Sequence, residues 1–121
     1  MHGTFQELGR ARIFAVSAEG PELRSGQDAV DLMSAASGRS VAIIAIPIER
    51  LGDDFFDLRT RVAGEFVQKF VTYGSHVAIV GDISRRVAAS KSLAAFVIES
   101  NRGKDLWFVH DLPELAERLS P

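Results

Sequence analysis

Four short apolar runs alternate along the chain with longer segments of helical periodicity. The runs cover residues 13–16, 41–46, 77–80 and 106–109. The two middle runs are apolar at every position rather than at every second one, which is typical of strands that helices cover on both faces. Strands that alternate with helices in this way indicate an α/β layered fold. The sequence therefore predicts a central four- or five-stranded, largely parallel sheet flanked by about four helices.

The helical segments carry clear start and stop signals. Ser25 and Asp28 have the spacing of a capping box, in which a hydroxyl and a carboxylate accept hydrogen bonds from free amides of the first turn. Gly74 is placed to end a long helix in the left-handed conformation. The predicted helices cover residues 25–38, 54–73, 90–101 and 111–119.

We treat residues 1–121 as a single domain, because a chain of this length can bury one ordinary core. Residues 1–11 carry no predicted element and are a candidate flexible N-terminus. Gly20-Pro21 is a turn signal after the first apolar run, so residues 22–24 are a candidate second strand that turns back as a hairpin.

Arg59 is the unusual residue of the longest predicted helix. If residues 54–73 form one continuous helix, Arg59 falls in the middle of its apolar stripe. A guanidinium there needs a carboxylate partner, and Asp82 and Glu99 are the candidates. Three interpretations are open: an internal ion pair, a site for an anionic ligand, or a helix that begins after Arg59 and leaves its side chain in an exposed loop.

Composition excludes several classes of function. The 16 acidic and 14 basic residues give a net charge of −2, so no strong field draws the protein to nucleic acid or to an anionic membrane. The chain has no cysteine, which excludes disulfides, thiolate metal sites and a cysteine nucleophile. Its first residues lack the apolar core of a signal peptide, and no apolar run approaches the roughly 20 residues of a membrane helix. We therefore expect a soluble, cytoplasmic protein with neither a nucleic-acid nor a membrane partner.

Polar side chains are expected at the carboxyl ends of the strands, where parallel α/β sheets usually meet their ligands. The candidate ligand-binding or switch residues at this edge are Asp57, Arg59, Thr60, Asp82 and Ser84. The alternative, which we favour, is that these residues are helix caps and solvated loop tips. The chain has no glycine-rich phosphate loop with its lysine, and its three histidines lack metal-ligand spacing. We therefore predict no catalytic residue, no cofactor and no metal.

The order of the predicted elements resembles the STAS fold, the small α/β domain of bacterial anti-sigma-factor antagonists and of sulfate-transporter tails. Three segments, at residues 55–82, 90–103 and 107–109, are similar to a bacterial family described as a domain of unknown function, DUF4180. The resemblance extends over residues 13–119 and implies no activity. In that family we expect a glycine after Leu58-Arg59-Thr60, where this chain has Arg61.

The resemblance to STAS domains also suggests a switch. In anti-sigma-factor antagonists, a serine or threonine at the start of the helix after the central strand is phosphorylated by a partner kinase. Thr60 lies in the corresponding region, but the Asp-Ser-Ser-Gly type of sequence that marks the site is absent. A phosphate on Thr60 would form charge-assisted pairs with Arg59 and Arg61.

Two functions from different classes follow. The first is a non-enzymatic regulatory or protein-interaction module in the bacterial cytoplasm, with a protein partner at the edge that carries Thr60 and the loop after Asp82. The alternative is a small-molecule binding protein or enzyme, with an anionic ligand near Arg59 and Asp82 at the carboxyl-terminal edge of the sheet. A homodimer is a third option, with self-association through the strand near Trp107.

Overall fold

The computed structural model describes residues 3–120, and within that range the chain forms five strands and six α-helices. Short 3-10 turns cover Ile48–Arg50 and Leu58–Thr60. In chain order the elements are β1 (Gly3–Leu8), β2 (Ala11–Val16), α1 (Gly26–Ala36), β3 (Ile43–Pro47), α2 (Asp53–Phe56), α3 (Val62–Thr72), β4 (Val77–Val80), α4 (Ser84–Ala89), α5 (Lys91–Arg102), β5 (Leu106–Val109) and α6 (Leu112–Leu119).

The five strands form one sheet in the order β1-β2-β3-β4-β5. β1 pairs with β2 in the antiparallel sense, and every other neighbouring pair is parallel. The predicted α/β class, with one domain and a largely parallel five-stranded sheet, is confirmed. The four strands from β2 to β5 overlap the four apolar runs, and β4 and β5 match theirs in full, because a strand buried on both faces requires continuous apolar sequence.

The strand order decides where the helices lie. Each crossover from β2 to β5 moves to the next strand in the same direction, so right-handed crossovers place α1, α3 and α5 on one face of the sheet. The larger core cluster lies between that face and those helices. It joins Phe14, Ile44, Ile46, Val77 and Ile79 of the strands to Leu32, Phe66, Phe70 and Leu93 of the helices.

The other face of the sheet is covered by α6. Ala15, Ala45 and Ala78 are direct neighbours across β2, β3 and β4, so a row of small side chains crosses this face. Leu115 of α6 is fully buried against the same cluster as Ala45 and Ala78. Small residues in the sheet let an eight-residue helix come close enough to bury its apolar side chains.

The N-terminal residues differ from the sequence prediction. Residues 3–8, within the candidate flexible N-terminus, form β1 and pair with β2, while residues 1–2 lie outside the described range. The hairpin turn is Gly9-Arg10, and Gly9 has φ +64°, as the first turn residue of a type II′ hairpin requires. The predicted hairpin strand at residues 22–24 is wrong, because that segment has no strand structure and leads into α1.

The long predicted helix is also wrong as one piece. Residues 53–72 form α2, a 3-10 turn and α3 in succession, and Arg61 between the last two has φ +66° and ψ 5°. This left-handed conformation costs a residue with a Cβ about 1 kcal/mol or more, and glycine adopts it freely. The backbone at Arg61 therefore gives a physical reason for the glycine that the family resemblance led us to expect there. The prediction also missed α4, a separate short helix before α5.

Candidate functional site

The carboxyl-terminal edge of the sheet has no crevice of the kind that usually binds ligands in α/β proteins. Such a crevice forms where two neighbouring crossovers leave a sheet on opposite faces. In this sheet the order from β2 to β5 follows the chain, so no such reversal of strand order occurs among the described strands. The loops at this edge instead fold onto one another through local hydrogen bonds and ion pairs.

Arg59 lies on the surface, with 91% of its side chain exposed. Its Nη2 lies 2.9 Å from Oδ2 of Asp57 and its Nε lies 3.0 Å from Oδ1 of the same carboxylate. The Arg59 side chain and its backbone N–H together hold the pKa of Asp57 below its ordinary value. The suggested partners Asp82 and Glu99 are wrong, and Glu99 pairs with Arg102. Of the three interpretations, the one in which the helix begins after Arg59 is confirmed.

Thr60 supports the junction between the 3-10 turn and α3. Its hydroxyl lies 2.6 Å from the carbonyl oxygen of Asp54 and 2.8 Å from that of Asp57, and it accepts a hydrogen bond from the N–H of Val62 at 3.2 Å. A phosphoester at Thr60 would lack the hydroxyl proton and would bring negative oxygens towards two carbonyl oxygens. Phosphorylation would therefore disrupt this junction unless the turn rearranged.

Asp82 and Ser84 lie at the start of α4. Oδ1 of Asp82 accepts a hydrogen bond of 2.9 Å from the N–H of Ser84. This bond, with a smaller contribution from the Ser84 hydroxyl, holds the pKa of Asp82 below its ordinary value. The shallow depression beside Asp82 and Ser84 includes His110 and Glu114, but none of the other three candidates.

The structure therefore divides the five candidate residues between two places. Asp57 and Arg59 line a groove of about 430 Å³ between α2 and the start of α5, and Thr60 follows them in the chain. Arg86 closes one side of that groove, with Nη2 3.0 Å from Oδ1 of Asp53 and its guanidinium 4.4 Å from the centre of the Phe56 ring. The charges around the groove are thus paired with one another, and the backbone-capping role that we favoured for Asp57 and Asp82 matches their contacts.

Arg50 is a residue that the sequence analysis missed. It is 2% exposed and is the buried charged residue of the described core. Its Nε donates to the carbonyl oxygen of Pro21 at 2.9 Å, and its Nη1 donates to those of Ser17 at 3.0 Å and Glu19 at 3.4 Å. A loop without regular structure has carbonyls that need donors, and residues 17–25 are such a loop. The sequence shows only that the carbonyls of this loop need hydrogen-bond donors. It does not show which arginine supplies them.

The exposed face of α3 carries a shallow depression of about 810 Å³, which we call the α3 saddle. Gly64 lies in it, and a Cβ built at Gly64 would meet no atom within 4 Å. Gly64 is therefore not required for close packing of helices within residues 3–120. The rim of the saddle includes Leu58, Arg61, Gln68, Thr72 and Phe96.

Apolar side chains continue from the saddle towards β5. Val67 and Val71 of α3 line a second depression with Phe96 of α5 and Leu106 of β5. Val71 is 40% exposed, and Tyr73 just beyond the end of α3 is 63% exposed. Phe96 borders both depressions, so they form one continuous surface between α3 and α5.

Trp107 and Phe108 of β5 point to opposite faces of the sheet. Phe108 packs against Phe96, and the centres of their rings are 6.0 Å apart. The Arg118 guanidinium lies 4.2 Å from the centre of the Trp107 ring, whose Nε1 donates to the carbonyl oxygen of Gly103 at 2.8 Å. Trp107 is therefore half-buried beneath α6.

Residues 3–120 contain neither a cluster of metal ligands nor a helix that could span a membrane. No group of three histidine, aspartate or glutamate side chains in this range is arranged to hold a metal ion. Within the same residues, no helix combines the length and the apolar character needed to cross a membrane.

Comparison with protein families identifies the chain. The family described as a domain of unknown function, DUF4180, matches residues 8–119. Since this match covers most of the chain, the protein belongs to that family. No curated protein and no solved structure shows a significant match.

Proposed function

We propose that this protein is a non-enzymatic protein-interaction module that binds an amphipathic helix of its partner across the α3 saddle. The observation that carries this proposal is Gly64. Gly64 lies in the first turn of α3, and a glycine in a helix costs up to about 1 kcal/mol relative to alanine. Nothing in residues 3–120 occupies the space beside Gly64, so no packing contact within this range requires the glycine. A partner that approaches the bare backbone of α3 would account for it.

The shape and chemistry around Gly64 favour a helix as the bound element. Amphipathic helices bind by laying apolar side chains at helical spacing into a groove. Here Val67, Val71 and Phe96 supply an apolar floor in the depression that continues from the saddle. Two helices can cross at a short distance only where small residues lie between their axes, and Gly64 meets that requirement.

The charged residues at the rim of the saddle suggest which charges the partner helix carries beside its apolar stripe. Arg61, Glu65 and Lys69 surround the saddle. No salt bridge joins any of the three to another side chain in the described chain. We expect the partner helix to carry charges of both signs beside its apolar stripe, with acidic residues facing Arg61 and Lys69.

The surface includes the end of α3 at which Thr60 lies, because Leu58 and Arg61 on either side of Thr60 both line the saddle. A change at Thr60 would shift these two residues and alter partner binding. A regulatory role in the bacterial cytoplasm, with an element order like that of the STAS domains, is part of the same proposal. The absence of cysteine supports the cytoplasmic location in this proposal. The largely parallel sheet supports the comparison with the STAS domains.

A second candidate function is the binding of a small anionic molecule. The observation that favours it is the exposed guanidinium of Arg59 on the rim of the groove that includes Ser90 and Ser92 at the start of α5. A thermal-shift screen against nucleotides, sugar phosphates and organic acids tests it. A stabilising ligand whose effect is lost in Arg59→Ala would support this function, and no stabilisation across the panel would contradict it.

The interaction function is tested by affinity capture from a lysate of the source cells. Gly64→Leu places a bulky side chain in the saddle, and Ala88→Leu adds similar apolar bulk at an exposed position of α4. We expect the parent and the Ala88→Leu control to retain the same partner and Gly64→Leu to lose it, with all three equally folded by circular dichroism. Retention of every captured protein by Gly64→Leu would contradict the proposal.

A further inference from the structure

The two edges of the sheet are protected differently. β5 forms one edge with four residues, and the backbone N–H of Phe108 on its outer side donates to Oδ1 of Asn101 at 2.7 Å. A strand that paired with β5 would have to displace the Asn101 side chain. Self-association through the strand near Trp107, which the sequence suggested, is thus opposed by the structure of that edge.

β1 forms the other edge with six residues, and no side chain among residues 3–120 covers its backbone as Asn101 covers β5. The two-residue turn makes Leu8 and Ala11 the closing hydrogen-bonded pair of the hairpin. Since pairs alternate along an antiparallel ladder, the backbone groups of Thr4 and Gln6 also bond to β2, and those of Gly3, Phe5 and Glu7 point outwards. Within residues 3–120 no other segment bonds to these outward groups. A row of three unpaired N–H groups and three unpaired carbonyls is a template for another strand.

We propose that β1 pairs with β1 of a second copy of this chain in an antiparallel dimer, which would join two sheets into one of ten strands. A two-fold axis through Phe5 places Gly3 opposite Glu7 of the second copy, Phe5 opposite Phe5 and Thr4 opposite Gln6. In this register all the outward backbone groups of Gly3, Phe5 and Glu7 find partners on the second copy, and each bond occurs twice because of the symmetry.

The side chains of β1 suit a second copy. Phe5 would face its own counterpart, and aromatic pairs across antiparallel strands are favourable. Glu7 is the charged residue of β1, and its carboxylate already pairs with Nε of Arg12 at 2.8 Å in its own chain. In the Phe5 register Glu7 faces a glycine, so no like charges meet. Natural edges that avoid pairing carry lysine, proline or a bulge, and β1 has none of these.

Thr4 and Gln6 give a direct test, because each faces the other across the two-fold axis. The variant T4K/Q6K places lysine opposite lysine twice. The matched variant T4K/Q6E places lysine opposite glutamate twice, and it also loses the 3.1 Å bond from Gln6 Nε2 to Thr4 Oγ1 within the chain. Both variants keep the backbone of β1, and circular dichroism with thermal melts confirms that each is folded.

Sedimentation velocity over a concentration series up to about 1 mM measures the outcome. We expect the parent and T4K/Q6E to sediment as dimers and T4K/Q6K as a monomer. Hydrogen exchange should show the amides of Phe5 and Glu7 protected in the parent dimer and at least ten times faster in T4K/Q6K. A parent that is monomeric throughout, or a T4K/Q6K variant that dimerises as strongly as the parent, would overturn the proposal. The α3 saddle lies on other elements of the fold than β1. Whether or not the protein dimerises through β1, the proposal that a partner binds the saddle is therefore tested separately.

Discussion

The Nε of Arg50 donates a hydrogen bond of 2.9 Å to the carbonyl oxygen of Pro21, which ties the 3-10 turn after β3 to the loop between β2 and α1. The backbone N–H of Leu23 donates to the carbonyl oxygen of Arg50 at 2.8 Å, so the link runs in both directions. Gly20 lies beneath the guanidinium, and a Cβ there would lie 2.7 Å from Cζ of Arg50. The loop and the arginine therefore depend on each other for their conformation.

Replacement of Arg50 with alanine should destabilise the protein. The carbonyls of Ser17, Glu19 and Pro21 would lose their donor, and a buried acceptor without a partner costs about 1–3 kcal/mol. We expect Arg50→Ala to lower the unfolding free energy by about 2–4 kcal/mol in urea denaturation. Arg59→Ala is the control and should lower stability much less, because its side chain and its ion pair with Asp57 are exposed. Equal effects of the two substitutions would contradict this role of Arg50.

Replacement of Arg61 with glycine should stabilise the protein. Arg61 adopts φ +66°, which glycine occupies without the steric penalty of a Cβ. Part of the gain is lost because glycine makes the unfolded chain more flexible. We expect Arg61→Gly to raise the unfolding free energy by up to about 1 kcal/mol, and Arg61→Ala to have little effect, since alanine keeps the Cβ. A lower stability of Arg61→Gly would show that the arginine side chain has a structural role.

Two replacements of Thr60 should distinguish the contribution of its hydroxyl to stability from that of its methyl group. Thr60→Ser keeps the bonds to the carbonyls of Asp54 and Asp57, and Thr60→Val keeps the shape but loses them. We expect Thr60→Val to cost about 1 kcal/mol and Thr60→Ser clearly less, measured by thermal and urea denaturation. A Thr60→Val variant as stable as the parent would mean that these hydrogen bonds do not hold the junction before α3.

Acid should weaken the fold through Asp28. Partial burial acts to raise the pKa of Asp28, but hydrogen bonds from the N–H groups of Arg24 and Ser25 hold it below its ordinary value. A lowered pKa in the folded state adds stability above the ordinary aspartate pKa of 3.8, and this stability is lost as the pH falls below it. Urea denaturation at several pH values should show stability falling below about pH 4.

The variant Asp28→Asn should show a shallower fall in stability over the same pH range, because its side chain cannot take up a proton there. Part of the slope should remain, since the pKa values of Asp57 and Asp82 are also lowered in the fold. The same slope in the parent and in Asp28→Asn would show that Asp28 does not contribute to the acid sensitivity.

Sequence patterns predicted most of the fold because its core strands are unambiguous. The run of residues 77–80 is bounded by polar and glycine residues and corresponds to β4 without change. The capping box of Ser25 and Asp28 is present as predicted, with Oγ of Ser25 accepting from the N–H of Asp28 at 3.1 Å. Such local signals depend only on residues that are close in the chain, so the sequence alone predicts them.

The errors have a common physical origin, since each concerns a choice that tertiary contacts decide. Helical periodicity continues through residues 54–73, but the Thr60 hydroxyl and the left-handed Arg61 break the helix there. The same break moves Arg59 out of the apolar stripe and onto the surface. Arg50 is buried because its guanidinium donates hydrogen bonds to carbonyls of a loop that is distant in the sequence. Periodicity alone carries no information on any of these contacts.

The candidate site was less predictable than the fold. The sequence indicated polar residues at the carboxyl ends of the strands, and the structure shows them capping turns and helices. A glycine at position 64 inside a helical segment is visible in the sequence, but only the structure shows that the space beside it is open. Whether a glycine packs against another part of the domain depends on tertiary contacts, which the sequence pattern does not show.

Site-specific photo-cross-linking tests the central claim most directly. A photoreactive amino acid at Gln68, on the rim of the α3 saddle, is compared with the same amino acid at Ala88 of α4, which is also exposed. We predict that position 68 cross-links to one partner, through a segment with an apolar stripe at helical spacing, and that Gly64→Leu abolishes the cross-link. Equal cross-linking from both positions, or a position 68 product that survives Gly64→Leu, would contradict the proposal that the α3 saddle binds a partner helix.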